Sequence, residues 1–111
     1  MNTDVKAIMK EAINNFDSIR VSKKIIILGD MLELGKESYN EHIEIIRLLE
    51  TVQCDNIILV GPEFNNVKTQ IACLHFNNVD ELKLWFNNEE FSDTFFLIKG
   101  SRKIGLEGLL L

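Results

Sequence analysis

The chain has 111 residues, 46% of them apolar, enough for one compact core and too few for a second domain of ordinary size. A net charge of −5, a pI near 5.0 and no Lys/Arg run longer than two exclude a nucleic-acid partner, which needs clustered cations to displace counterions. Apolar runs of four to five residues fall far short of the roughly 20 that span a bilayer, so no membrane partner is expected, and no charged-then-apolar leader opens the sequence.

The first segment predicts a helix: Val5, Ile8, Met9, Ala12, Ile13 and Phe16 recur at the spacing that paints one apolar stripe, with Thr3 or Asp4 as its cap. Lys24 to Leu28 then form a short continuous apolar run closed by Gly29. Ser38 and Glu41 have the spacing of a capping box, and Ile45, Leu48, Leu49 and Val52 make the apolar face of the helix it would start. A second strand is expected at Ile57–Val60, closed by Gly61, and a short helix after Pro62 using Phe64, Val67 and Ile71. A third strand falls at Ala72–Phe76, and a helix on Val79, Leu82, Trp85 and Phe86 follows. Phe95–Ile98 complete the strands, and Ile104, Leu106, Leu109 and Leu110 mark a last helix. Apolar runs without alternation are what strands buried on both faces look like. Alternating strands and helices predict a Rossmann-like, doubly wound, mostly parallel α/β sheet with helices on both faces, as a single domain over residues 1–111.

In such sheets ligands bind beyond the carboxyl ends of the strands. The loop from Gly29 through Asp30, Met31, Glu33 and Gly35 to Glu37 resembles a phosphate loop superficially and fails the test. Five residues separate its glycines where four are required, and Glu37 stands where a hydroxyl should hold magnesium. Its bland reading is a tight turn at Gly29 with Asp30 capping a helix. Against that, Met31, Leu32 and Leu34 are apolar residues in a loop, which usually cover a neighbouring domain or a substrate.

Lys99-Gly100-Ser101-Arg102-Lys103 is the most cationic pentapeptide of the chain and lies at a strand-to-helix junction. Gly100 would let backbone approach a ligand, Ser101 offers a hydroxyl, Arg102 a planar fork, and the following helix its free N–H groups. An anion site is expected there. His42, one turn into the second helix, could reach the Gly29 loop, but reads first as a packing or surface histidine. His75, Trp85 and Phe86 read as structural, and Glu89-Glu90 as a solvated end. Cys54 and Cys73 read as reduced thiols, and nothing has the spacing of a metal site.

The segment Leu28-Gly29-Asp30-Met31-Leu32-Glu33-Leu34-Gly35 with Ser38 and His42, then Val60-Gly61-Pro62, then Lys99-Gly100-Ser101-Arg102 with Leu106-Glu107, resembles the Mur ligases. In particular it is similar to the C-terminal domain of the branch that joins D-alanyl-D-alanine to UDP-N-acetylmuramoyl-tripeptide. Met9-Lys10-Glu11-Ala12-Ile13 is similar to the first helix of that domain. The resemblance implies a bacterial cytoplasmic enzyme of peptidoglycan synthesis that uses ATP and Mg to form an acyl phosphate, then an amide. It also implies that this chain is a fragment, inactive alone, whose substrate domain and central ATPase domain lie elsewhere. Those missing domains, D-Ala-D-Ala and the UDP-linked tripeptide would be its partners. On this resemblance Lys99, Gly100, Ser101 and Arg102 would hold the dipeptide. The loop Gly29, Asp30, Met31, Glu33 and Gly35 would face the nucleotide on closure, with His42 in support. The family's Asn-rich stretch before the first helix is reduced here to Asn2-Thr3-Asp4.

Two rivals differ in class. A phospho-acceptor receiver domain would need a carboxylate where the chain has Gly61 or Asn77, and a Pro where Gly100 follows Lys99. A stand-alone module binding a small anionic metabolite would use the Lys99 loop without chemistry.

Overall fold

The computed structural model describes residues 3–110, without the side chains of 3–5, 69 and 110. Eight principal elements follow the chain: α1 (Thr3–Asp17), β1 (Lys23–Gly29), α2 (Ser38–Leu49), β2 (Asn56–Val60), α3 (Pro62–Asn65), β3 (Leu74–Phe76), α4 (Val79–Asn88) and β4 (Thr94–Lys99). Short 3-10 turns occupy Gly35–Glu37, Lys68–Gln70, Arg102–Ile104 and Leu106–Leu110. The four strands are all parallel, in the order β3-β2-β1-β4.

The period-2 geometry of a strand divides the apolar runs between two cores. Ile26 and Leu28 of β1 and Leu59 of β2 face α1, α2 and α3, where Met9, Ile13, Phe16, Ile45, Ile46, Leu49 and Phe64 are buried. Ile25, Ile27, Ile58 and Val60 face the other way, onto Leu82 of α4 and Leu106 and Leu109 of the closing turn. The central strands are therefore buried on both faces, and each enclosed Ile or Leu contributes about 1.5–3 kcal/mol. The expected doubly wound sheet with helices on both faces is what forms. The edges behave differently. Leu74 on β3 is 40% exposed and Phe95 on β4 is 50% exposed, because an edge strand has one flank without a neighbour.

Several local expectations fail for identifiable reasons. The capping box does not form: Ser38 already lies inside α2, its hydroxyl donates to Glu63 Oε1 at 2.6 Å, and Glu41 pairs with Lys6 of α1 at 2.8 Å. The third strand shortens to Leu74–Phe76, so Ala72 and Cys73 precede it. The last helix is two 3-10 turns instead, separated by Gly105 in the left-handed conformation at φ 77. Ile8, placed on the buried stripe of α1, is 52% exposed. The proposed caps Thr3 and Asp4, the stripe residue Val5, Asn2 and Leu110 lie outside the described residues or side chains.

β1, β2 and β3 step in one direction across the sheet, and β4 returns to the opposite side of β1. The reversal opens a crevice at the carboxyl ends of β1 and β4, the point where open α/β sheets take ligands. A receiver domain has the different order 2-1-3-4-5, so that rival is removed by topology. Among the described residues, no helix is long and apolar enough to cross a membrane.

Candidate functional site

The loops after β1 and β4 meet at this crevice and fasten each other. The Ser101 amide donates to the Asp30 carbonyl at 3.0 Å, and the Leu32 amide donates to the Ser101 hydroxyl at 2.7 Å. Close approach is possible because both strands end in glycine. A Cβ on Gly100 would stand 2.9 Å from the Gly29 Cα, and one on Gly29 would stand 3.0 Å from Ile104 Cγ2. Gly100 thus admits the neighbouring backbone, and Gly29 is needed for packing.

The β1 loop turns two of its expected site residues inward. Asp30 is fully buried, and its carboxylate accepts the Glu63 and Phe64 amides at 2.8 and 2.9 Å, capping the first turn of α3 across the sheet. Burial pushes this carboxyl above its ordinary range, opposed by those two amide bonds. Met31 is fully buried in the core beneath α2. Its amide donates to His42 Nε2 at 3.1 Å, while His42 Nδ1 donates to the Ser38 carbonyl at 2.7 Å, so the ring is the neutral Nδ1–H tautomer. His42 is buried edge-on against Phe64, with ring centres 4.6 Å apart. The expected reach of His42 to the Gly29 loop is real, and its effect is to anchor that loop.

Asp30, Met31 and Leu32 amides all have internal acceptors: the Val60 carbonyl, His42 and Ser101. This loop therefore does not fit a phosphate cradle, which requires free N–H groups. Among the described residues there is likewise no group of three His, Cys, Asp or Glu that could hold a metal ion. His75 Nε2 donates to the Gly61 carbonyl at 2.7 Å, and Trp85 and Phe86 pack in the second core, so these stay structural. Cys54 and Cys73 are free and half-buried, and burial raises both thiols, which makes them poor nucleophiles.

What remains open is a cleft of about 530 Å³ between α1 and the two loops. Its apolar side is Ile8, Met9 and Leu32; its polar side is Glu33 and Lys99 through Lys103. Lys99 reaches it because it shares the strand face of Leu97, the face covered by α1. Arg102 is exposed at its rim, and its guanidinium makes no hydrogen bond or ion pair among the described residues. Lys103 Nζ lies 3.7 Å from a Glu33 carboxylate oxygen, both on the surface. Glu33 itself sits at φ 64, the left-handed region that non-glycine residues enter at a cost of roughly 1–3 kcal/mol.

Lys99, Gly100, Ser101 and Arg102 are thus brought together on one cleft, which Glu33 also lines. Asp30, Met31 and His42 lie behind it as support, and Gly35 opens the turn leading to α2 at φ 59. The expected helix N-terminus is missing from the anion site, since only a three-residue turn follows Ser101. Side-chain cations must carry any anion affinity. Leu32 lines the cleft as an apolar loop residue expected to cover a partner or substrate, whereas Ile8 and Met9 were not anticipated as lining. Adjacent Ile8 and Met9 make the α1 stripe wider than one sheet contact needs, and that width was the available signal.

No family model matches the chain. It is 34% identical over 94 residues to the UDP-N-acetylmuramoyl-tripeptide–D-alanyl-D-alanine ligase of Borreliella burgdorferi, covering 80% of this chain and 20% of that protein. It is 29% identical over 106 residues to the ligase of the same name from Rickettsia prowazekii, covering 92% and 24%. A crystal structure of MurF from Acinetobacter baumannii superposes with a TM-score of 0.80 at 26% identity, over 95% of this chain and 24% of that one. The MurF ligase of Thermotoga maritima in complex with ADP shares the fold at a TM-score of 0.63 and 22% identity, over 95% and 24%. The chain spans only about a fifth to a quarter of the curated relatives it matches. Over that stretch, about a quarter of their length, the chain is homologous to MurF ligases.

Proposed function

We propose that this chain is the C-terminal, substrate-closing domain of a MurF ligase, and that its cleft presents D-Ala-D-Ala for amide formation. In the complete enzyme the dipeptide nitrogen attacks the acyl carbon of the activated UDP-N-acetylmuramoyl-tripeptide. A new C–N bond forms, phosphate departs, and the nitrogen loses its proton to solvent or base. ATP and Mg belong to a domain outside this chain, consistent with the engaged amides of the β1 loop. The chain alone is inactive in this reading, and the complete enzyme is cytoplasmic.

The observation that carries the proposal is the make-up of the cleft. Lys99, Ser101 and Arg102 converge on one side, opposite an apolar surface of Ile8, Met9 and Leu32. A D-Ala-D-Ala carboxylate suits the guanidinium fork and the hydroxyl proton, while its methyl groups suit the apolar wall. Lys99 adds charge from behind. The outward part of the β1 loop, Glu33 to Gly35, meets the ATP-bearing domain on closure and helps exclude water from the acyl phosphate.

Arg102→Ala in the ligase that carries this domain is expected to raise KM for D-Ala-D-Ala about tenfold or more, with KM for ATP within about twofold. Equal effects on both substrates would contradict the assignment.

A further inference from the structure

Glu33 is the single carboxylate lining a cleft whose other charged residues are Lys99, Arg102 and Lys103. The loop does not hold it there by chance of solvation. Its backbone is fixed in the left-handed region at φ 64, just beyond two amides anchored by His42 and Ser101. One of its partners is Lys103, at 3.7 Å, longer than a tight charge-assisted hydrogen bond. The two side chains are 67% and 76% exposed, so solvent screens the pair and another cation can take the place of Lys103.

A cleft lined by cations alone would bind any small carboxylate. One lined by both cations and a carboxylate is matched to a zwitterion. We propose that Glu33 receives the ammonium group of the incoming dipeptide while Arg102 and Ser101 hold its carboxylate. This inference rests on the reading of the cleft given above and adds the group that selects a free amino terminus. A dipeptide spans about 7 Å when extended, which the cleft of about 530 Å³ accommodates. On that same reading, the Glu33 loop meets the domain bearing the activated carboxyl, where the amine has to be presented. The role is binding and orientation; the proton that leaves on amide formation is not assigned to Glu33.

The test is an NMR titration of this chain with D-Ala-D-Ala and with N-acetyl-D-Ala-D-Ala, which lacks the ammonium. The native protein is expected to bind the zwitterion about tenfold more tightly than the acetylated anion. Glu33→Gln should abolish that preference while leaving Kd for the acetylated dipeptide within about twofold, with a native spectrum as the control for folding. Lys103→Gln, which removes that ion pair, should widen the preference even if it weakens both ligands. Equal binding of the two ligands by the native protein, an equal loss of both in Glu33→Gln, or a narrowed preference in Lys103→Gln would overturn the inference. In those outcomes, an acetylated dipeptide still bound and still lost in Arg102→Ala keeps the cleft reading standing. Binding of neither ligand would overturn both.

Discussion

The hydroxyl of Ser101 accepts the amide proton of Leu32 at 2.7 Å, a bond between residues 69 positions apart. Together with the Ser101 amide on the Asp30 carbonyl, it ties the two loops that wall the cleft. Ser101→Ala leaves the Leu32 amide without its acceptor in a partly buried place, which costs about 1–2 kcal/mol. Urea denaturation should register this loss, and hydrogen exchange at Leu32 should speed up more than exchange in β1. An unchanged Leu32 exchange rate would show that the loops are held by other means.

Gly61 is where the site's scaffold tolerates least. It lies at φ 118, and the three nearest atoms to a Cβ placed there all belong to the Asp30 carboxyl group. Gly61→Ala combines backbone strain with displacement of the α3 cap, so a loss of roughly 3 kcal/mol or more is expected. In an Asp30→Ala background the clash disappears and only the backbone term remains. The double-mutant cycle should therefore show strong coupling between the two positions. Additive costs would mean that Asp30 does not occupy that space.

Two carboxyl groups give stability contributions of opposite sign with pH. Glu44 on α2 is held by Lys6 and Lys10 of α1 at 2.7 and 3.2 Å, which lowers it to about 2 from 4.5. Its contribution is present above pH 4.5 and is lost as pH falls through about 2. Because Glu44 is 38% exposed, screening limits that contribution to under about 1 kcal/mol, and salt should shrink it further. Asp30 runs the other way. Burial raises it, so its contribution is fully present below the unfolded value near 3.8 and is lost as pH rises through the higher folded value. Denaturation of Glu44→Gln and Asp30→Asn from pH 2 to 7 should show the first converging on the native protein in acid. The second should gain relative to it toward neutrality. Parallel curves for both variants would remove the assigned causes.

Residues whose roles depend on local spacing were legible in the sequence. The apolar runs at Ile25–Leu28, Ile57–Val60 and Phe95–Ile98 became strands, and the loop at Lys99 fell beside the loop at Gly29, as a doubly wound sheet requires. What failed depends on partners distant in sequence. Asp30 and Met31 look like loop residues available to a ligand until Glu63, Phe64 and His42 arrive to occupy them. Ser38 and Glu41 have the right spacing to cap each other, but Glu63 and Lys6 compete for them through tertiary contacts. The final helix had the right apolar period. Gly105 in the left-handed region interrupts it, and Leu106 and Leu109 still reach the core as 3-10 turns.

The central claim is that the cleft between the β1 and β4 loops binds the dipeptide's carboxylate end. Amide NMR spectra of the chain titrated with D-Ala-D-Ala test it most directly. The largest shifts should fall on Leu32, Glu33 and Lys99 to Lys103, and Arg102→Ala should remove them. Shifts centred on the opposite pole of the sheet, around Arg20 and Gln53, or persisting undiminished in Arg102→Ala, would contradict the account.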